Sequence, residues 1–250
     1  MKKKLFAAGC LMMTILFGPV SGSWGNRGSL PFMPGEEIQY DIQKFGIKAG
    51  KAILRFEGTT TLDGHDVYLI VFIAQAMNFY DEERIYVDAE SFLPLKVERT
   101  LNIFGKKERI EEVYDHETGQ IFLTKYVGEK ETRQTLEKES GVENIYGFIY
   151  RYRRDGDFSV GDSIDIALPT KDMSFQLEGK QKISVGKKVY DAYIMESNPR
   201  QYRVWFDKSP QKIPLRIDGA VGFGNTSMVL AQYEGSRPEQ DPDQGKENGI

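Results

Sequence analysis

Hydrophobic and polar residues alternate with a period of two along most of residues 36–235. In the first run the apolar positions are Ile38, Tyr40 and Ile42, and Asp63-Gly64 is typical of the tight turns between later runs. Because successive side chains of a strand point to opposite faces, this alternation predicts strands with one buried face. Runs that follow one another this closely favour an antiparallel meander over alternating strands and helices. We therefore expect a mainly β fold, a curled antiparallel sheet or half-barrel.

One segment departs from the alternation and predicts a helix at about residues 142–153. Its apolar residues Ile145, Phe148, Ile149 and Tyr152 are spaced i, i+3, i+4 and i+7, which places them on one helix face. Basic residues follow in the last turn, where they interact favourably with the helix dipole. The helix is expected to link two β-rich halves of a single domain.

The two halves, residues 36–135 and 156–235, are similar in sequence. Short motifs recur in the same order, at an offset that stays between 119 and 122 residues. They include RIYVD at 84–88 and LPLKV at 93–97, with the counterparts RVWFD at 203–207 and IPLRI at 213–217. Proline donates no hydrogen bond to a sheet, so both proline motifs are expected at strand starts or edges. The order and the spacing indicate two similar β units joined by the helix.

Residues 1–23 are typical of a cleaved secretory signal peptide. Three lysines form a basic start, and Leu5–Phe17 is an apolar run of 13 residues. Small residues then precede a cleavage point after Ser23 or Gly22. We therefore expect export to the periplasm, with residues 24–35 as a lead-in to the domain.

Cys10 lies in a segment that loosely matches a lipoprotein signal, in which the cysteine carries the lipid. Only five apolar residues precede it, too few for a hydrophobic signal core, so we expect Cys10 to be discarded with the signal peptide. The apolar run is also short for a bilayer, and no transmembrane span is expected in the mature chain. The polar residues 236–250 show no apolar periodicity and predict a disordered tail.

Charge and composition narrow the function classes. The chain has 33 Lys+Arg and 37 Asp+Glu, a net charge of −4. Without residues 1–23, which hold three lysines and no acids, the balance is 30 against 37, or −7. Such an acidic chain argues against nucleic acid or an anionic membrane face as a partner. One cysteine and two histidines argue against a disulfide scaffold and a zinc site.

No motif for catalysis or for a cofactor occurs in the sequence. We find no nucleophile elbow, phosphate-binding loop, dinucleotide-binding glycine pattern or metal-ligand spacing, so we expect no enzyme activity, no cofactor and no metal. The acidic pairs Glu36-Glu37, Glu82-Glu83 and Glu111-Glu112 are of the type used in glycoside hydrolysis. Neighbouring side chains of a strand point to opposite faces, however, and these pairs are expected at solvated edges.

Aromatic residues and an arginine of the helix are the candidate ligand-binding residues. Tyr146 and Tyr150 lie off the most apolar helix face, and Arg153 follows in the last turn. One interpretation is an amphipathic packing helix whose arginines extend along apolar surface to solvent. The other is that these three residues line the mouth of an apolar cavity and meet an anionic head group. Trp205 is a fourth candidate.

Taken together, several segments resemble the exported bacterial family catalogued as domain of unknown function 3108. The likeness covers roughly residues 34–233 and implies export, a β-rich fold and no established activity. Asn144, Gly147 and the single acid Asp207 depart from the family pattern, which is expected to have Asp, Ser and an acidic pair there. The segments that carry the resemblance are Pro34 to Ala52, Tyr150 and Arg153, and Trp205 with Ile213-Pro214-Leu215 and Gly222.

The Asp-x-x-x-x-Leu-Pro-Leu pattern is also similar to edge strands of the periplasmic lipoprotein carriers, curled sheets that hold acyl chains against a helical lid. Our leading hypothesis is therefore a non-enzymatic periplasmic protein that binds a lipid-like ligand, or an envelope protein, on the concave face of its sheet. The alternative is a structural or protein-interaction module of the cell envelope. A carbohydrate-active enzyme that uses paired carboxylates is a third hypothesis.

Overall fold

A computed structural model of the chain describes residues 30–138, 141–219 and 226–235. The predicted signal peptide, the first part of the lead-in and the predicted tail lie outside the described residues. The described residues form fourteen strands and one helix, α1 (Ile145–Asp155). The strands are β1 (Glu36–Lys44), β2 (Ile47–Leu62), β3 (His65–Ala76), β4 (Phe79–Asp88), β5 (Pro94–Ile103), β6 (Lys106–Asp115), β7 (Gln120–Val127), β8 (Lys130–Glu137), β9 (Ser163–Leu168), β10 (Lys171–Val185), β11 (Lys188–Asn198), β12 (Arg203–Asp207), β13 (Pro214–Asp218) and β14 (Thr226–Glu234).

All of these strands belong to one antiparallel sheet. Their order is β8-β7-β6-β5-β4-β3-β2-β1-β14-β13-β12-β11-β10-β9, so strands β1–β8 form one unit and β9–β14 the other. The two units join where β1 pairs with β14, with Ile38 opposite Tyr233. Strands β8 and β9 are the two edges, and the sheet is therefore not closed. This architecture confirms the prediction of a mainly β, curled antiparallel sheet or half-barrel.

The two units repeat each other in structure as well as in sequence. Asp88 and Asp207 occupy the same place at the end of β4 and β12, and each accepts a backbone hydrogen bond from the loop that follows, from Ser91 N (2.7 Å) and Ile213 N (2.8 Å). Each proline motif starts its strand, as predicted. Register shifts recur at equivalent places in the two units. The β2–β3 pair shifts at Phe56/Gly58 and the β10–β11 pair at Leu177/Gly179. The β4–β5 pair shifts at Tyr86/Val87 and the β12–β13 pair at Trp205/Phe206.

The helix begins later than residue 142, where the periodicity predicted its start. Val142 forms an isolated bridge with Ala167 of β9, and Asn144 then caps the helix, with its side-chain oxygen accepting from Tyr146 N at 2.9 Å. An asparagine at this position satisfies an amide that has no partner within the helix, so it fixes the first turn. Sequence periodicity extends across the cap because Val142 is apolar, and it therefore misplaces the boundary.

One apolar cluster joins α1 to the inner face of both units. Phe148 and Ile149 of the helix are fully buried, and Phe148 packs against Phe175 of β10 with ring centroids 4.8 Å apart. On the other side the cluster includes Phe56 and Phe72 of β2 and β3. The helix thus occupies the inside of the curled sheet, where its apolar side chains are removed from water together with those of the strands.

Candidate functional site

The two helical tyrosines lie inside the sheet rather than at its surface. Tyr146 stacks on Phe72 with ring centroids 3.9 Å apart, and Tyr150 packs edge to face against Phe32 at 4.8 Å. Both tyrosines are fully buried, and burial raises the pKa of each hydroxyl well above its usual value. Their rings fill the space beneath the helix, which supports the packing interpretation.

Arg153 forms a buried ion pair with Glu36 at the C-terminal end of the helix. Its Nη1 and Nη2 donate to the two carboxylate oxygens of Glu36 at 2.6 and 2.8 Å, and both side chains are 0% exposed. Its Nε donates to the carbonyl of Gln211 at 3.1 Å. The Tyr233 hydroxyl donates to Glu36 at 3.1 Å. The arginine is thus satisfied by its own fold and does not extend to solvent; its role toward a ligand stays a prediction.

A second group of charged side chains lies at the other end of α1. Arg99 of β5 contacts two inward-facing acids of β4: it donates to Asp81 at 2.8 and 2.6 Å and lies 3.3 Å from a Glu83 oxygen. The cap residue Asn144 donates from its side chain to Glu83 at 3.1 Å. Burial, aided by the charge of Asp81, raises the pKa of Glu83 to about 7 despite the opposing effect of Arg99. The two acids converge on one cation, which makes this a structural anchor for the helix start.

Neither the Arg153–Glu36 pair nor the contacts of Arg99 with the acids of β4 were expected from the sequence. The acids Glu36 and Glu83 were expected at solvated edges, yet both are buried. The available signal was the alternation itself, because Asp81 and Glu83 fall in phase with the buried residues Ile85 and Val87 of β4. A charged residue in phase with a buried face predicts a buried partner of opposite charge.

Trp205 lies apart from the three helical candidates, on the outer face of the sheet. Its neighbours Val204 and Phe206 belong to the inner core, whereas Trp205 clusters with Val185 and Leu215. The guanidinium of Arg216 lies 4.9 Å from the Trp205 ring centroid. Its buried indole nitrogen makes no hydrogen bond within the described part of the chain. The four sequence-predicted residues therefore do not form one site.

The outer cluster lies beneath a hairpin arm, residues 180–191 of β10 and β11. β10 and β11 pair up to their turn, with Val185 opposite Lys188, whereas β11 pairs with β12 only from Ala192 onward. The arm therefore projects beyond β12. Val185 near its tip is nevertheless buried, because it packs in the cluster that contains Leu215 of β13. The arm thus folds back over the outer face of the sheet.

Between the arm and strands β1, β13 and β14 lies an outer groove of about 730 Å³. The apolar part of its lining comes from both sides, and the arm adds two exposed lysines, Lys187 and Lys188. Pockets for small ligands commonly combine such a predominantly apolar wall with a few polar groups in a volume of about 300–1,000 Å³. The apolar and aromatic lining residues are Val185, Tyr190, Ile213, Leu215, Val229, Leu230, Ala231 and Tyr233.

Among residues 30–138, 141–219 and 226–235, no group of three acidic, histidine or cysteine side chains is arranged to hold a metal ion. The same residues include no helix with the length and apolarity needed to cross a bilayer.

A comparison with protein-family models identifies the family of the chain. The family model described as protein of unknown function (DUF3108) matches residues 38–231, which is most of the chain. The protein belongs to the DUF3108 family. The resemblance noted from its opening, helical and closing segments is thereby confirmed. A comparison with curated protein sequences gave no match.

A solved structure shares the DUF3108 fold seen here. The crystal structure of a β-barrel-like protein of domain of unknown function DUF1849 from Brucella abortus superposes with a TM-score of 0.51 at 10% sequence identity. The match covers 83% of this chain and 100% of that one. At this identity the likeness concerns the fold alone, and it agrees with a curled, barrel-like sheet.

Proposed function

We propose that this protein is a non-enzymatic periplasmic binding protein that holds an amphipathic, lipid-like ligand in the outer groove. The observation that carries the proposal is the groove itself, a cleft of about 730 Å³ with a mostly apolar lining and lysines at one side. Our sequence hypothesis placed such a ligand on the concave face. Because α1 and its aromatic rings occupy that face, the proposal moves the ligand to the outer side of the sheet.

The chemistry of the groove suits a chain with an anionic end. Val229 and Leu230 of β14 offer apolar contacts along one wall, and burial of each methylene group contributes about 0.8 kcal/mol. Lys187 and Lys188 are exposed and form no ion pair within the described residues, so they are available to a carboxylate or phosphate. Asp41 lines the far wall but is neutralised by Lys48 at 2.5 Å.

Periplasmic location is part of the proposal and rests on the basic, apolar and small-residue segments of residues 1–23. The absence of catalytic motifs from the sequence supports a binding role over an enzymatic one.

The test is a titration of the mature protein with palmitate that carries a fluorescent anthroyl group. We expect saturable binding that Val229→Glu weakens by about tenfold or more, because the new carboxylate would lie against the apolar chain. Lys187→Glu should weaken binding by roughly fivefold through loss of the head-group contact. The matched control is Lys182→Glu, which makes the same charge change on the arm outside the groove lining.

Binding that fails to saturate, or that responds equally to Lys187→Glu and Lys182→Glu, would contradict the proposal. Since Val229 is half-buried and its replacement can lower stability, circular dichroism and thermal melting accompany each variant. If Val229→Glu does not fold, the comparison of Lys187→Glu with Lys182→Glu still tests the proposal, because both lysines are exposed.

A further inference from the structure

Large apolar side chains project into solvent at one end of the first unit. Phe45 is 79% exposed, Met77 is 94% exposed and Phe104 is 74% exposed. Ile47, beside Phe45, is also exposed. These four residues, which we call the hairpin rim, contribute almost nothing to the core. Four large apolar side chains exposed at the same end of a sheet indicate an interaction site.

Topology places the hairpin rim at one end of the strands, where three turns of the first unit follow one another. Phe45 lies in the β1–β2 turn, Met77 in the β3–β4 turn and Phe104 in the β5–β6 turn. In an antiparallel meander alternate turns lie at the same end of the sheet. Neighbouring strands are about 4.8 Å apart, so these turns follow one another at about 10 Å and the rim spans about 20 Å.

The two phenylalanines of the rim adopt a backbone conformation that is unfavourable for a bulky residue. Phe45 and Phe104 have φ of 53° and 51°, and each is followed by a glycine with positive φ. Asparagine or glycine fits this left-handed position best, whereas a bulky side chain is unfavourable there. Residues that suit neither the backbone nor the solvent are best explained by a partner that takes up their side chains.

Lysines accompany the hairpin rim. Lys44 precedes Phe45, and Lys106 and Lys107 follow the Phe104 turn; all three are exposed and form no ion pair within the part of the chain that the structure describes. The fourth turn at this end adds Lys130 beside Glu129. The net negative charge of the whole chain, which argued against an anionic membrane face, therefore does not describe this end of the molecule.

We propose that the hairpin rim inserts into the surface of an anionic lipid bilayer. Separate protruding side chains at about 10 Å spacing suit a bilayer, which takes up each one independently, better than a protein partner, which requires a continuous complementary surface. The lysines behind the tips then lie at the level of the head groups, where they meet lipid phosphates. This places the outer groove near a membrane.

The test is co-sedimentation of the full mature protein with vesicles of phosphatidylethanolamine and phosphatidylglycerol. The variant Phe45→Asn/Phe104→Asn should bind about tenfold or more weakly, because each bilayer-inserted ring contributes strongly to partitioning. It should fold at least as well as the parent, since asparagine suits the left-handed turn position. Phe122→Asn, at an exposed phenylalanine on β7 away from the rim, is the matched control and should bind as the parent does.

A charge-reversal variant separates the contribution of the lysines to vesicle binding from that of the apolar side chains. Lys106→Glu/Lys107→Glu should lower binding to the anionic vesicles by roughly tenfold and have little effect on the weaker binding to phosphatidylcholine vesicles. Failure of the parent to sediment with anionic vesicles overturns the proposal, as does unchanged sedimentation of Phe45→Asn/Phe104→Asn. Concentration-dependent self-association without lipid, abolished by that variant, would instead assign the rim to a second copy of the chain and also overturns it. Binding of the fluorescent palmitate is expected to survive these variants, so the groove and the rim can fail independently.

Discussion

At the scale of single residues, the ion pair of Arg153 and Glu36 is the most demanding feature of the core. Both charges are fully buried, and each depends on the other for compensation. Arg153→Met leaves the Glu36 carboxylate unpaired and should therefore lower the free energy of unfolding by about 3–5 kcal/mol, measured by urea denaturation. The double variant Arg153→Met/Glu36→Leu should recover a large part of this loss. A loss below about 1 kcal/mol for Arg153→Met would contradict this structural role.

Glu83 predicts a pH dependence of stability. Its pKa is about 7 in the folded protein and near the ordinary glutamate value of about 4.5 in the unfolded chain, so between these values the folded state binds the extra proton. The free energy of unfolding is therefore not lowered by ionisation of Glu83 below about pH 4.5, and it falls as the pH rises through 7. The total decrease has an upper limit of about 3 kcal/mol. Denaturation at several pH values should show a smaller decline for Glu83→Gln than for the parent. Equal slopes for the two proteins would contradict the assignment.

The candidate residues show how far sequence reasoning reaches at this scale. Helical periodicity correctly places Tyr146, Tyr150 and Arg153 on one helix. It could not reveal that Arg153 is buried, because the partner Glu36 lies 117 positions away in the sequence. Trp205 was a candidate together with them, whereas its position between Val204 and Phe206 puts it on the opposite face.

At the scale of elements, α1 contains a glycine that its surroundings do not require. A Cβ on Gly147 would lie 3.7 Å from Val87 and 3.8 Å from the Phe92 carbonyl, which is ordinary contact. Since glycine within a helix is less favourable than alanine, Gly147→Ala should raise the free energy of unfolding by about 0.5–1 kcal/mol. The contrasting variant is Gly156→Ala, whose Cβ would lie 2.6 Å from the Tyr152 carbonyl and should destabilise the protein. Thermal melting distinguishes the two, and destabilisation by Gly147→Ala would show that the helix packs more tightly than described.

Local elements could be predicted because their signals are local. The Asp63-Gly64 turn lies between β2 and β3 as expected, and both proline motifs begin strands. The predicted start of α1, at about residue 142, precedes the observed start at Ile145 because the cap at Asn144 interrupts a continuous apolar pattern. Alternation does place Glu83 on the inward face of β4, but the pair Glu82-Glu83 was interpreted as a solvated edge because neighbouring side chains of a strand point to opposite faces.

At the scale of the whole molecule, the duplicated unit explains most of the architecture. Two meanders with the same bulges and the same aspartate-terminated strands lie side by side in one sheet, with α1 inside it. The β1–β14 pairing that joins them is a contact between the ends of the domain, and no local pattern specifies its register. The sequence therefore predicted a curled sheet from two units but not that the inside would be filled, and the outer groove went unrecognised.

Native mass spectrometry tests the central claim, ligand binding in the outer groove, most directly. The protein would be expressed with its N-terminal segment, released gently from the periplasm and compared before and after denaturation. We predict a polypeptide that begins after the predicted cleavage point, carrying one stoichiometric lipid-like mass that denaturation releases. The mass should be retained in Phe45→Asn/Phe104→Asn and lost in Val229→Glu. A bare polypeptide in repeated preparations, or the same bound mass in folded Val229→Glu, would contradict the account.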